Sequence, residues 1–333
     1  MSSLKGQVIL VTGGTGSFGK KFVEMVLADY DPKKLIIFSR DELKQHEMRV
    51  AGFDDPRLRY FIGDVRDGER LRLALKDVDV VVHAAALKQV PACEYNPFEA
   101  VMTNVLSARH IVTAALDHGV KKVMALSTDK ACNPSNLYGA TKLVAEKAFI
   151  HANVYTGSSS PTKFSCVRYG NVVGSRGSVI PLFLKQKETG SLTITDDRMT
   201  RFFLTLEQAV NFVIKAIDDM EGGEIFVPKI PSAKIIDIAK QIAPECEIKS
   251  VGIRAGEKLH EALLTEHEAH FTLEQNDRYV IWPDVGGFSE PISLVDRHEG
   301  ELVQERFEYR SDNNTSWLSS EELQKHIDDV KED

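Results

Sequence analysis

Thr128-Asp129-Lys130, with Tyr138 and Lys142 close behind, is the spacing in this chain with the most chemistry in it. On a helix, Tyr138 and Lys142 stand one turn apart on the same face. A lysine ammonium there favours the phenolate, which a tyrosine needs if it is to take a proton from an alcohol near neutral pH. The ordinary phenol pKa is about 10, so bringing it to about 7 takes roughly 4 kcal/mol of charge stabilisation. Asp129 and Lys130 add a second acid/base pair just upstream. A site that only moved a hydride would not need that pair, so the segment points to further proton transfers. The plainer alternative is a helical Tyr and Lys beside a chance Asp-Lys ion pair.

Short apolar runs supply the frame that must hold these residues. They fall at 8–12, 35–38, ahead of Gly63-Asp64-Val65, and at 78–83, 122–126 and 164–167, separated by stretches of helical spacing such as 104–118. Strands alternating with helices predict an α/β fold with a doubly wound parallel sheet of Rossmann type. After Tyr169 the rhythm breaks. The expected organisation is a dinucleotide-binding domain over 1–172, to which 201–220 returns, and a smaller α/β substrate domain over 173–333. Ser319-Ser320-Glu321-Glu322 has the pattern of a capping box opening a last short helix.

Gly14-x-Gly16-x-x-Gly19, with Gly13 ahead of it, follows the first strand and opens a helix, the context that makes this spacing a dinucleotide fingerprint. Its glycines let the backbone approach a pyrophosphate at the helix amino terminus. Thr15, Ser17 and Phe18 fall within the same loop. At the end of the second strand stand Ser39-Arg40-Asp41, with Lys44 a turn later. Arg40 suits a ribose 2′-phosphate, with Ser39 donating a hydrogen bond; Asp41 is the competing signal, an acid for the free ribose of NAD. The balance favours NADP. Asp64 and Val65 are expected to flank the adenine, Ala84 to Ala86 to line the cofactor's path, and Lys88 and Val172 to border it.

The chain has 333 residues, 43% apolar and 27% charged, with a net charge of −8. These values suit a globular protein and argue against a nucleic-acid scaffold. The cysteines, Cys93, Cys132, Cys166 and Cys246, are scattered, with neither a disulfide framework nor a zinc pattern; Cys132 reads as a packing residue. His260-Glu261 and His267-Glu268-Ala269-His270 do not complete HExxH, so no metal is expected, and they read as a solvated helical face. No Walker A lysine follows the glycine loop. With no signal peptide and no apolar run near the roughly 20 residues of a membrane span, a cytoplasmic protein without membrane attachment is expected.

The glycine motif, Tyr138-x-x-x-Lys142 and the length resemble extended short-chain dehydrogenases/reductases acting on nucleotide sugars. TGGTGSFG (12–19), FSRDEL (38–43), GDVRD (63–67), HAAALK (83–88), LSTDK (126–130), RYGNV (168–172), SRGSV (175–179) and RAGEK (254–258) sharpen the match. Together they resemble the configuration-inverting UDP-N-acetylglucosamine 4,6-dehydratases that start pseudaminic acid biosynthesis. The resemblance implies NADP as a cofactor left unchanged by each cycle, a UDP-sugar substrate, and a homo-oligomer assembled through Rossmann-domain helices. It implies that Tyr138 takes the 4-OH proton as C4 gives up hydride, that H5 and the 6-hydroxyl then leave, and that C5 is reprotonated on the opposite face.

In that scheme Asp129 is the acid at the 6-hydroxyl, which requires a raised pKa. Lys130 is the base at C5, which requires a pKa lowered by desolvation and by Lys142. Thr128 hydrogen-bonds the 4-oxygen and Lys142 also holds the nicotinamide ribose. Arg254 and Lys88 are implied for the diphosphate, Asn171, Arg176 and Thr195 for the sugar nucleotide, and Glu257 for the uridine. Retaining dehydratases typically carry glutamate where this chain has Lys130, which points to inversion. A C4 epimerase, a retaining dehydratase and a catalytically silent NADP-binding regulator are the rival readings.

Overall fold

The computed structural model describes residues 3–157, 160–174, 178–282 and 298–332. The apolar runs become strands β1 (Val8–Thr12), β2 (Lys34–Ser39), β3 (Leu58–Ile62), β4 (Val80–His83), β5 (Lys122–Thr128) and β6 (Lys163–Tyr169). All are parallel neighbours, in the spatial order 3-2-1-4-5-6. Every residue of β1 and β4 is buried, because helices cover both faces of a parallel sheet and leave no solvent side for alternation to mark. The order reverses between β1 and β4, and the crevice at their carboxyl ends is where ligands bind in such sheets.

The sheet does not stop at β6. Ile225–Pro228 pairs parallel to it, and Arg278–Ile281, Thr272–Glu274 and Glu301–Leu302 follow antiparallel, giving ten strands. Helix Leu206–Asp219 drives Val210, Val213 and Ile217 into the same core. The sheet therefore takes in more of the chain beyond 172 than the 201–220 return, because Ile225, Phe226 and Val227 bury as fully as the strand beside them.

A second, smaller core gathers Val173, Ile180, Phe183, Leu192, Ile238 and Ile327. Two small sheets serve it, one of Asn171–Val172, Thr200–Leu204 and Ser232–Lys234, the other of Ser191–Ile194 and Glu247–Ser250. The last helix, Ser320–Glu332, opens on the capping box: Glu322 N donates to Ser319 Oγ at 3.2 Å, and Ser319 N to Glu322 Oε2 at 2.8 Å. Among the described residues no helix is long and apolar enough to cross a membrane.

Candidate active site

A cleft of about 610 Å³ opens at the carboxyl ends of β1, β4 and β5. Its floor is the glycine loop. Gly13 has φ +68°, a conformation that favours glycine, and a Cβ on it would lie 3.0 Å from the Ala85 backbone. A Cβ on Gly19 would lie 2.4 Å from Gly14 Cα, so only glycine lets helix Ser17–Asp29 start this close to the strand. No side chain caps that helix, and Ser17, Phe18 and Gly19 of its first turn line the cleft. This bare, positively polarised cradle fits a dinucleotide pyrophosphate.

Thr15, Gly16, Ser17, Phe18, Asp64, Val65, Ala84, Ala86, Lys88 and Val172 all line the same cleft, as do Ser39, Arg40, Asp41 and Lys44. Ser39 Oγ lies 2.9 Å from Thr15 Oγ1. Asp41 is the N-cap of helix Glu42–Val50: its carboxylate accepts from Lys44 N at 3.1 Å and pairs with Lys44 Nζ at 3.1 Å. Arg40 is largely exposed at the rim, its nearest carboxylate Asp64 4.0 Å away.

The catalytic candidates come from two adjoining pieces. β5 ends at Thr128, and a single 3-10 turn, Asp129–Ala131, carries the acid and the lysine. Helix Leu137–His151 follows, capped by Asn136, whose Oδ1 accepts from Gly139 N at 2.8 Å. Thr128, Asp129, Lys130 and Tyr138 converge on the cleft. Thr128 Oγ1 donates to Asp129 Oδ1 at 2.9 Å, and Lys130 Nζ donates to the same oxygen at 3.1 Å. The other oxygen, Asp129 Oδ2, is buried with no hydrogen-bond partner among the described residues. Burial pushes the Asp129 carboxyl above the ordinary carboxylate range; the Lys130 ammonium opposes this and the Glu261 carboxylate adds to it.

Three expectations fail here. Lys130 is raised, not lowered: burial alone would lower it, but the carboxylates of Asp129 and Glu261, 3.1 and 3.3 Å from its nitrogen, outweigh burial. Tyr138 is pushed up to about 12 by burial, with Lys130 only partly offsetting it. Lys142 is not among the residues lining the cleft: it donates to Leu126 O at 2.6 Å, and burial lowers its own pKa. Helical spacing put Lys142 on the face of Tyr138 correctly, but the open carbonyl at the end of β5 takes its ammonium.

Among the substrate candidates, Lys88, Lys130 and Asn171 line the cleft. Lys88 is held below the ordinary lysine value by desolvation and by the charge of Lys130. Thr195, Arg254 and Glu257 do not line it. Within an exposed loop Arg254 N donates to Glu257 Oε2 at 3.3 Å and Glu257 N to Arg254 O at 3.0 Å, and that loop docks beside the active-site helix: Asn136 Nδ2 donates to Gly256 O at 2.8 Å. Arg176 lies outside the described residues.

The sequence reading missed Glu261. It is 2% exposed and directly precedes strand Ala262–Leu264, so it is no part of a solvated helical face. Glu268, from the same region, pairs with the buried Arg168 at 2.8 Å. The usable signal for Glu261 was Lys258, inside the RAGEK motif, three residues before it. Among the described residues no group of three His, Cys, Asp or Glu side chains could hold a metal ion.

Comparison with known proteins places this geometry. Residues 9–283 match the family described as polysaccharide biosynthesis protein. A protein of Campylobacter jejuni (strain 81-176) named UDP-N-acetylglucosamine 4,6-dehydratase (inverting) is 52% identical over 330 residues, covering 96% of each chain. A protein of Rickettsia massiliae named UDP-glucose 4-epimerase is 42% identical, covering 95% of this chain and 94% of its own. The X-ray structure of Pen from Bacillus thuringiensis superposes with a TM-score of 0.88 at 37% identity, over 99% of both chains. The chain belongs to the polysaccharide biosynthesis protein family.

Proposed function

We propose that this chain is an NADP-dependent, configuration-inverting 4,6-dehydratase. It converts UDP-N-acetylglucosamine to UDP-2-acetamido-2,6-dideoxy-β-L-arabino-hex-4-ulose, the opening step toward an amino sugar of the pseudaminic acid type. One observation carries the reading: an acid/base pair, the buried Asp129 and the part-buried Lys130, shares the cleft with Tyr138, and one carboxyl oxygen of Asp129 has no hydrogen-bond partner among the described residues. A C4 epimerase needs a group at the 4-hydroxyl and has no proton to deliver at C6. A dehydratase needs that group, a base at C5 and an acid at C6.

The glycine cradle and Arg40 would hold the cofactor. When bound, NADP would supply the hydride acceptor for C4 and the hydride donor for C6. Arg40 supports NADP over NAD because it stands largely exposed at the rim with Asp64 4.0 Å away, whereas Asp41 is engaged in capping its own helix. Tyr138, which lines the cleft beside Thr128, accepts the 4-OH proton. The 4-keto group so formed acidifies H5. Lys130 takes H5 and Asp129 protonates the departing 6-hydroxyl; its raised pKa suits a carboxyl that must carry a proton. As hydride returns to C6, Tyr138 gives its proton to the opposite face of C5.

The test is NMR of the purified protein with UDP-N-acetylglucosamine and trace NADP in deuterated water. The expected product carries a C6 methyl, deuterium at C5 and an L-arabino ring. Lys130→Met should still form reduced cofactor in a single turnover while H5 exchange stops. A D-xylo product would refute inversion, and the 4-epimer alone would make the protein an epimerase.

A further inference from the structure

Lys130 is held from two sides, and only one side belongs to the acid/base pair. Glu261 Oε1 lies 3.3 Å from Lys130 Nζ, across from Asp129 Oδ1 at 3.1 Å. Glu261 is itself braced: Arg201 Nε lies 3.7 Å from Oε1, and Lys258 Nζ 3.9 Å from Oε2. Both cations are anchored to backbone. Arg201 donates to the carbonyls of Thr200, Leu259 and Lys258, and Lys258 Nζ donates at 2.6 Å to Cys132 O, just past the turn that carries Lys130. Glu261 Oε2 has no hydrogen-bond partner among the described residues. Charges this close and this buried act on one another far more strongly than in water.

We propose that Glu261 is a positioning residue for Lys130: its carboxylate, braced by Arg201 and Lys258, fixes the lysine amine against Asp129 and sets which of the two holds their shared proton. The inference rests on the dehydratase reading and deepens it. Elimination needs a lone pair on Lys130 and a proton on Asp129. Moving one proton from Lys130 Nζ to Asp129 Oδ1 along their hydrogen bond breaks an N–H bond, forms an O–H bond and supplies both. Lys130 then takes H5, Asp129 protonates the leaving hydroxyl, and the pair is back as ammonium and carboxylate, ready for the next cycle. The charged and titratable groups facing Lys130 are Asp129 on its own turn, Tyr138 on the following helix, Lys88 on the loop after β4, Arg201 on strand Thr200–Leu204, and Glu261. Of these, Glu261 has no place in the proton transfers themselves.

Glu261→Gln removes a negative charge that raises both Lys130 and Asp129, so the pH profile of H5 exchange should move to lower pH. At neutral pH, exchange should slow about 10-fold or more while single-turnover C4 oxidation keeps its rate, and Glu261→Asp should recover part of the loss. Lys258→Met leaves Glu261 less compensated and should move the profile the other way. Equal losses of oxidation and exchange with an unmoved pH profile, or a variant indistinguishable from the parent, would overturn the proposal. If Glu261→Gln does not fold, Lys258→Met decides: a shift to higher pH supports the proposal and no shift overturns it. A parent chain that forms no C6 methyl from UDP-N-acetylglucosamine overturns this inference together with the dehydratase reading, whereas a C6 methyl with an unaffected variant overturns this inference alone.

Discussion

Arg40 and Asp41 are adjacent, yet the fold gives them different tasks. Asp41 spends its carboxylate on the first turn of helix Glu42–Val50, and Arg40 reaches the cleft rim with its guanidinium largely in solvent. A guanidinium placed there matches a 2′-phosphate and gains nothing from a free hydroxyl. Arg40→Ala should therefore weaken NADP binding about tenfold or more and leave NAD binding nearly unchanged, read by fluorescence titration of both cofactors. Equal effects on the two would assign the selectivity elsewhere. Single residues were legible in the sequence where their meaning is local: the glycine loop, the Ser39-Arg40 strand end, and Thr128, Asp129, Lys130 and Tyr138 all reach the cleft. What sequence could not show was charge balance. The state of Lys130 depends on Glu261 and Arg201, which are far away in the chain and meet it only after folding.

The distance between Tyr138 and Lys130 is controlled by two short elements pressed together. Helix Leu137–His151 packs against the turn Asp129–Ala131 so tightly that a Cβ on Gly139 would lie 2.1 Å from Lys130 O. The helix is pinned on other sides too: Leu137 N donates to Glu94 Oε1 at 2.7 Å, and Asn104, from the π-helical turn Val101–Leu106, donates to Thr141 Oγ1 at 3.0 Å. With no room to slide, Gly139→Ala must push the turn and the helix apart. Because reacting groups tolerate little displacement, turnover should fall by about 10²-fold with cofactor affinity nearly kept. Steady-state kinetics beside a cofactor titration check this, and normal turnover would show that the contact is soft. At this scale the parallel strands were legible because full burial writes them as continuous apolar runs. The π-helical turn and the two- and three-residue strands beyond residue 230 were not, since so few residues carry no readable period.

Three regions of the molecule meet at Arg168, which is 1% exposed on β6. Its guanidinium bonds Glu146 of the active-site helix, the carbonyl of Leu263 and, at 2.8 to 3.0 Å, both oxygens of Glu268. The tie thus fastens the helix bearing Tyr138 to the sheet and to the returning segment that also delivers Glu261. Burial alone would raise Glu268, but Arg168 and the capping bonds of Thr265 outweigh it and hold the carboxyl down at about 2. The ordinary value is 4.5, so the folded state binds this proton less readily than the unfolded state does. The resulting stability is fully present above about 4.5 and is lost as pH falls toward 2, amounting to at most about 3 kcal/mol. Glu268→Gln should be less stable than the parent near neutral pH by about that amount, and the gap should close as pH drops through that window. Urea unfolding at stepped pH measures it. A gap that stays constant with pH would mean that shape, not the carboxylate charge, holds these regions together, because a neutral amide and a protonated carboxyl fill nearly the same space.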